Sequence, residues 1–151
     1  MSDFRFVVEV LAPPYQVWET LIAVEQWPEW TRSITSAQRL EQGPLAVGSR
    51  TRIVQPKLIS TVWQVTALNE HDRYFAWVTG RPGIRIKASH LVERTDRGSL
   101  VTLTLSYSGL FGFVMAHHLK DLNWEYLTTE AEGLKTRCEA QAISRSHETQ
   151  A

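Results

Sequence analysis

Between Ile34 and Gly109 apolar residues recur at every second position, and from about Phe113 to Gln141 they recur at every third or fourth. This switch of period limits the fold more than any other feature. A period of two puts alternate side chains on opposite faces of a sheet; a period near 3.6 puts them on one stripe of a helix. The later segment holds Leu119, Leu122, Leu127, Ala131, Leu134 and Cys138 at helical steps, with charged residues between them and no proline. It predicts one amphipathic helix of roughly seven or eight turns.

The earlier run divides into strands expected at 34–42, 48–56, 59–69, 73–80, 84–95 and 99–109. The breaks fall at "QGP" (42–44), "NEHD" (69–72), "RPG" (81–83) and "TDRG" (95–98), all rich in turn formers. Connections this short imply an antiparallel meander. Upstream, "FRFVVEVLAPP" alternates as a first strand that Pro13 and Pro14 end. Val17, Trp18, Leu21 and Ile22 then mark a short amphipathic helix, Pro28 breaks it, and a second helical turn is expected from Glu29 to Arg32.

The fold class that follows is α+β. A strongly curved antiparallel sheet of about seven strands wraps around a long C-terminal helix, with two short helices between strands 1 and 2. All of this reads as a single domain over 1–151, with 143–151 a frayed tail. A curved sheet and a rod do not match in shape, so a space is expected between them.

Alternation assigns side chains to that space. Ile84, Ile86, Ala88, His90 and Val92 share the apolar face of their strand, and Val101, Leu103, Leu105 and Tyr107 share that of the next. Trp63 and Val65 point the same way, and Ile53 and Gln55 share a face with Thr51. Phe75 and Trp77 lie on one face together, and the pattern leaves open which. In "WPEW", Pro28 fixes the turn; Trp30 is assigned to the cavity wall, Trp27 to the seam against the long helix, and Trp18 to the core. Gly109 and Gly112 bracket a hinge whose Phe111 and Phe113 either cap the cavity or staple the helix, and the 81–83 turn is expected beside them at the mouth. Exposed, that apolar segment would suit a dimer or a membrane surface. With Leu119, the candidate ligand-binding set is Trp30, Ile53, Gln55, Trp63, Trp77, Ile86, Ala88, His90, Leu103, Leu105, Tyr107, Phe111, Phe113 and Leu119.

Composition removes several function classes. Lys plus Arg and Asp plus Glu are both 16, so a neutral chain has no global field to gather nucleic acid or an anionic membrane. The longest apolar run, "LFGFVMA", is too short to span a bilayer, and no stable membrane insertion is expected. "MSDFRFVVEV" has no basic segment ahead of an apolar run, so no signal peptide is expected. The one cysteine, Cys138, excludes an internal disulfide, suits a reducing, cytoplasmic setting and reads as a small buried hydrophobe. His117, Asp121 and Glu125 fall at i, i+4 and i+8, a spacing open to a metal, but they read as a solvated helix face. No metal or cofactor is expected.

The order of motifs resembles the polyketide cyclase/dehydrase branch of the START-like (SRPBCC, helix-grip) superfamily. The likeness lies in "VLAPPYQVWETLIAVEQWPEW", in "VWQVTALNEHDRYFAWVTGRPGIRIKASHLVE" with its Pro-Gly turn and inward histidine, and in "GSLVTLTLSYSGLFG" followed by "YLTTEAEGLKTRCEA". It covers about Phe4 to Ala140. The resemblance implies a deep, largely apolar cavity. Members bind or transport lipids, sterols and polyketides, some close aromatic rings or dehydrate, and they share no single catalytic set. The expectation is therefore a binder of a small hydrophobic molecule such as a lipid, polyketide or aromatic metabolite, acting as monomer or homodimer. The alternatives are a cyclase or dehydratase using His90 and Tyr107 as acid and base, and an interaction module with no ligand.

Overall fold

In the computed structural model, which describes residues 2–150, strand β1 (Ser2–Val10) leads into helix α1 (Pro14–Ile22) and a 3₁₀ helix (Val24–Glu29). Strands β2 (Ser36–Arg39), β3 (Arg50–Val54), β4 (Thr61–Asn69), β5 (Tyr74–Arg81), β6 (Ile84–Thr95) and β7 (Gly98–Ser108) follow. Helices α2 (Gly112–His118) and α3 (Lys120–Gln150) complete the chain. The sheet has seven strands in the order β1-β7-β6-β5-β4-β3-β2, every neighbouring pair antiparallel. This is the expected meander with β1 added beside β7, and α3 lies across its concave face in a helix-grip arrangement.

The strand pattern sets that face. β6 and β7 pair without a break from Arg85↔Ser108 to Thr95↔Gly98, so the alternation of the two strands stays in step. His90, Val92, Val101, Leu103 and Tyr107 are all buried, and β5 places Phe75 and Trp77 inward beside them. β4 carries a bulge between Val65 and Ala67, which sharpens the bend of the sheet there.

The two halves of α3 do different things. Leu134 and Cys138 in the C-terminal half are fully buried, and Gln16 of α1 donates its side-chain amide to the Cys138 carbonyl at 2.7 Å. Glu139 accepts from the Leu11 backbone N–H at 2.9 Å, and Lys135 donates to the Glu9 carbonyl at 3.0 Å. These bonds clamp that half to α1 and the end of β1. The N-terminal half faces the open part of the sheet.

Three local expectations are corrected. The second helical turn occupies Val24–Glu29, not 29–32, because 3₁₀ bonding starts directly from the Ala23 carbonyl, which accepts from Gln26 N–H at 3.0 Å. The long helix is broken at Leu119, whose φ of −99° and ψ of 15° leave the α-region, although Asn123 N–H still donates to its carbonyl. Helix α3 also continues through 143–150, where fraying was expected. That stretch lacks an apolar stripe but contains no glycine or proline to stop backbone bonding. Ala151 lies outside the described residues.

Candidate functional site

A cavity of about 380 Å³ lies between the sheet and the N-terminal half of α3. Its floor is Trp27, Trp77, His90 and Leu103; its far wall is Ile84, Ile86, Ala88, Leu105 and Tyr107. Ile34, Ile53, Gln55 and Trp63 close one side, and Met115, Leu119, Asn123, Tyr126, Leu127 and Glu130 close the helix side. The rim is formed by Lys57, Leu58 and Ile59 of the β3–β4 loop and by Gly80 and Arg81 at the end of β5. Tyr126 donates its hydroxyl to the Pro56 carbonyl, tying α3 to that loop at the edge of the opening.

The floor is a packed aromatic layer. The His90 ring stacks on Phe75 with centroids 4.3 Å apart, and Trp27 and Trp77 approach it edge-on at 5.4 and 6.0 Å. Trp27 in turn lies 5.3 Å from Trp77 and 5.5 Å from Trp30. Aromatic contacts of this kind hold a rigid surface.

Two polar pairs interrupt the apolar wall. Tyr107 donates its hydroxyl to Asn123 Oδ1 at 3.0 Å, leaving Asn123 Nδ2 buried with no partner. His90 Nε2 lies 3.3 Å from Glu130 Oε1 without hydrogen-bond geometry, and His90 Nδ1 and Glu130 Oε1 are both buried with no hydrogen-bond partner. Asn123 and Glu130 are seven residues apart on α3, two turns of one face, so their pairs stand about 10 Å apart along the cavity. Buried polar atoms without partners are costly and uncommon, and here they belong to residues that line the cavity.

Of the candidates read from the sequence, Ile53, Gln55, Trp63, Trp77, Ile86, Ala88, His90, Leu103, Leu105, Tyr107 and Leu119 line this cavity together. Gln55 also donates to the Ser33 carbonyl at 3.2 Å. Three do not. Trp30 is buried away from the cavity, with its carbonyl against Gly133 of α3, so Trp30 forms the seam and Trp27 the wall, the reverse of the expectation. Phe111 lies with its ring against Gly83, and Phe113 is 74% exposed, so neither caps the cavity and Phe113 is no staple. His90 and Tyr107 share the inner face but not one spot. His90 pairs with Leu103 and Tyr107 with Ile86, four residues along, which is about 13 Å of strand. The break at Leu119 divides His117 from Asp121 and Glu125, all exposed, and no metal-holding group of three occurs among the described residues.

Trp27, Asn123 and Glu130 were missed. The signal for Asn123 and Glu130 was present: with Leu127 and Leu134 they make steps of four, three and four on one helical stripe.

Burial pushes the Tyr107 phenol up, and burial also pushes the Cys138 thiol up. Both groups therefore hold their protons more tightly folded than unfolded. As pH rises past the ordinary thiol value, about 8.5, the unfolded chain loses its proton first and stability falls. The urea midpoint is expected to hold steady below about pH 8 and decline above it. In Cys138→Ala the decline should begin only in the tyrosine range, near pH 10. Equal onset in both proteins would exclude Cys138 as the source.

A family model described as polyketide cyclase/dehydrase and lipid transport matches residues 1–139. No curated protein is detectably similar in sequence. Among solved structures, the protein TTHA0849 from Thermus thermophilus superposes with a TM-score of 0.75 at 18% identity, covering 93% of this chain and 99% of that one. Ginseng major latex-like protein 151 from Panax ginseng gives 0.72 at 14%, covering 91% and 97%. The di-domain ARO/CYC BexL from the BE-7585A biosynthetic pathway gives 0.70 at 18%, over 90% of this chain but 46% of its own. At these identities the likeness is one of fold. Among the described residues no helix is long and apolar enough to cross a membrane.

Proposed function

The chain belongs to the polyketide cyclase/dehydrase and lipid transport family, and from that premise we propose that it holds a small hydrophobic molecule, such as a lipid, polyketide or aromatic metabolite, between its sheet and α3. The observation that carries this reading is the cavity itself, about 380 Å³ of space with aromatic and aliphatic walls and two polar pairs. That size lies within the range of small-molecule sites. Burying a ligand's apolar surface contributes about 25 cal/mol per Å², from which the cost of lost motion is subtracted. Asn123 lines the cavity at one end, and a turn of its side chain would offer the buried, unpartnered Nδ2 to a carbonyl or hydroxyl oxygen of the ligand.

Filling the cavity tests this. Ala88 lines it from the middle of β6, so Ala88→Trp would place an indole in the ligand's space. Fluorescence titration with N-phenyl-1-naphthylamine is expected to give micromolar binding to the wild type. Ala88→Trp should weaken it at least about tenfold, roughly 1.4 kcal/mol, with its melting temperature nearly unchanged. No binding by the wild type, or equal binding by the variant, would sink the reading.

A second reading, proton transfer of the cyclase or dehydratase type, is favoured by the His90–Glu130 contact on the cavity floor. Tyr107 would then serve the ligand's far end, since its own proton is engaged by Asn123. His90→Phe should abolish turnover of a linear poly-β-ketone thioester while naphthylamine binding stays within about twofold. Unchanged turnover ends that reading.

A further inference from the structure

We propose that the rim of the cavity docks on an anionic lipid surface. Leu110, Phe111, Phe113 and Val114 are 84%, 54%, 74% and 64% exposed, and they follow one another at the turn into α2. Four large apolar side chains on one exposed turn form a patch that a free-standing soluble surface rarely carries. The inner side of the same helix supplies Met115 to the cavity, and Leu119 just past its end also lines it, so the patch and the binding space are two faces of one element. Ile59, 61% exposed, stands on the β3–β4 loop, which supplies another part of the rim.

Charge decides what the patch meets. Lys57 and Arg81 stand on the rim and Lys120 follows the apolar turn, against Asp121 as the carboxylate beside it. The whole chain, by contrast, has 16 of each sign. A second copy of this chain docked face to face would set these cations against each other, which is unfavourable. An anionic bilayer would take the apolar turn into its headgroup region and meet the cations with its phosphates. This is docking at the interface and not insertion, and a cavity opening onto the bilayer would exchange an apolar ligand without passing it through water.

Flotation with vesicles tests it without knowledge of any cavity ligand. Wild-type protein should float with phosphatidylcholine vesicles containing roughly one-third phosphatidylglycerol, and detach as salt is raised. The double substitution Phe113→Asp, Val114→Asp alters only exposed side chains, so it should melt like the wild type and bind naphthylamine equally, yet lose at least about tenfold in vesicle affinity. Lys57→Glu with Arg81→Glu should lose a similar amount on anionic vesicles. Wild-type protein that stays unbound, or a double variant that floats as well, overturns the proposal. So does a concentration-dependent dimer that the same double substitution dissolves.

Discussion

Gly133→Ala should lower the melting temperature by roughly 5–10 °C, although alanine is the better helix former by about 1 kcal/mol. A Cβ built on Gly133 meets the Trp30 carbonyl oxygen at 2.0 Å and its carbon at 3.0 Å, with Thr31 Cα at 3.3 Å. These are backbone atoms and cannot rotate away. The helix must back off from the Trp30 turn or the turn must shift, and overpacking of this kind costs about 1–3 kcal/mol. A 2.0 Å contact lies at the upper end of that range or beyond it, so sterics outweigh propensity. Relief also has a direction. Trp30 rests on Trp27, and Trp27 touches Trp77 and His90, so movement of the turn carries the cavity floor with it. Naphthylamine affinity should fall along with the melting temperature. A thermal melt in which Gly133→Ala equals or exceeds the wild type would show that the close seam is absent.

That seam marks where the sequence was readable and where it was not. Regular ladders transmit the inward assignment without error, because a period of two survives as long as the pairing has no bulge. β6 and β7 pair in step along their length, and Ala88, His90, Leu103, Leu105 and Tyr107 all face the cavity as expected. The "WPEW" segment has no such ladder. Trp27 lies inside the 3₁₀ helix and Trp30 at its end, with φ of −126° and ψ of −8°, so the two indoles leave a common face. Which one meets the cavity depends on Gly133, a residue more than a hundred positions away, and spacing alone does not reveal that approach.

The helix side failed for a different reason. Leu122 was placed on the apolar stripe, yet it is only half-buried while Asn123 beside it is 4% exposed. Asn123 takes the inward position because it binds the Tyr107 hydroxyl. A reading that follows apolar residues passes over the polar ones that share their stripe, and those are the ones a binding site uses. The break at Leu119 has no proline or glycine to announce it; within α2, Met115 reaches the cavity while Phe113, about 200° away around the helix, faces outward.

Trp27→Ala should be the most damaging substitution on the cavity floor, costing about 3–5 kcal/mol. The side chain is 2% exposed, and its indole N–H donates to the Leu21 carbonyl at 2.9 Å. That carbonyl belongs to the last turn of α1, where helix acceptors lack intrahelical partners, so losing the indole leaves it unsatisfied. The ring contacts to Trp30, Trp77 and His90 go at the same time. One effect works the other way: the new void would join an existing cavity of about 380 Å³ and not form a sealed hole. Trp27→Phe separates the contributions, since it keeps most of the ring packing and removes only the donor. It is expected to cost about 1–2 kcal/mol by urea unfolding. The cavity of the alanine variant should also admit a bulkier probe than the wild type does. If the two variants unfold at the same urea concentration, the hydrogen bond to Leu21 carries the whole effect and the floor does not depend on the Trp27 ring. If Trp27→Ala unfolds with the wild type, the aromatic layer under the ligand space is not part of what holds this fold together.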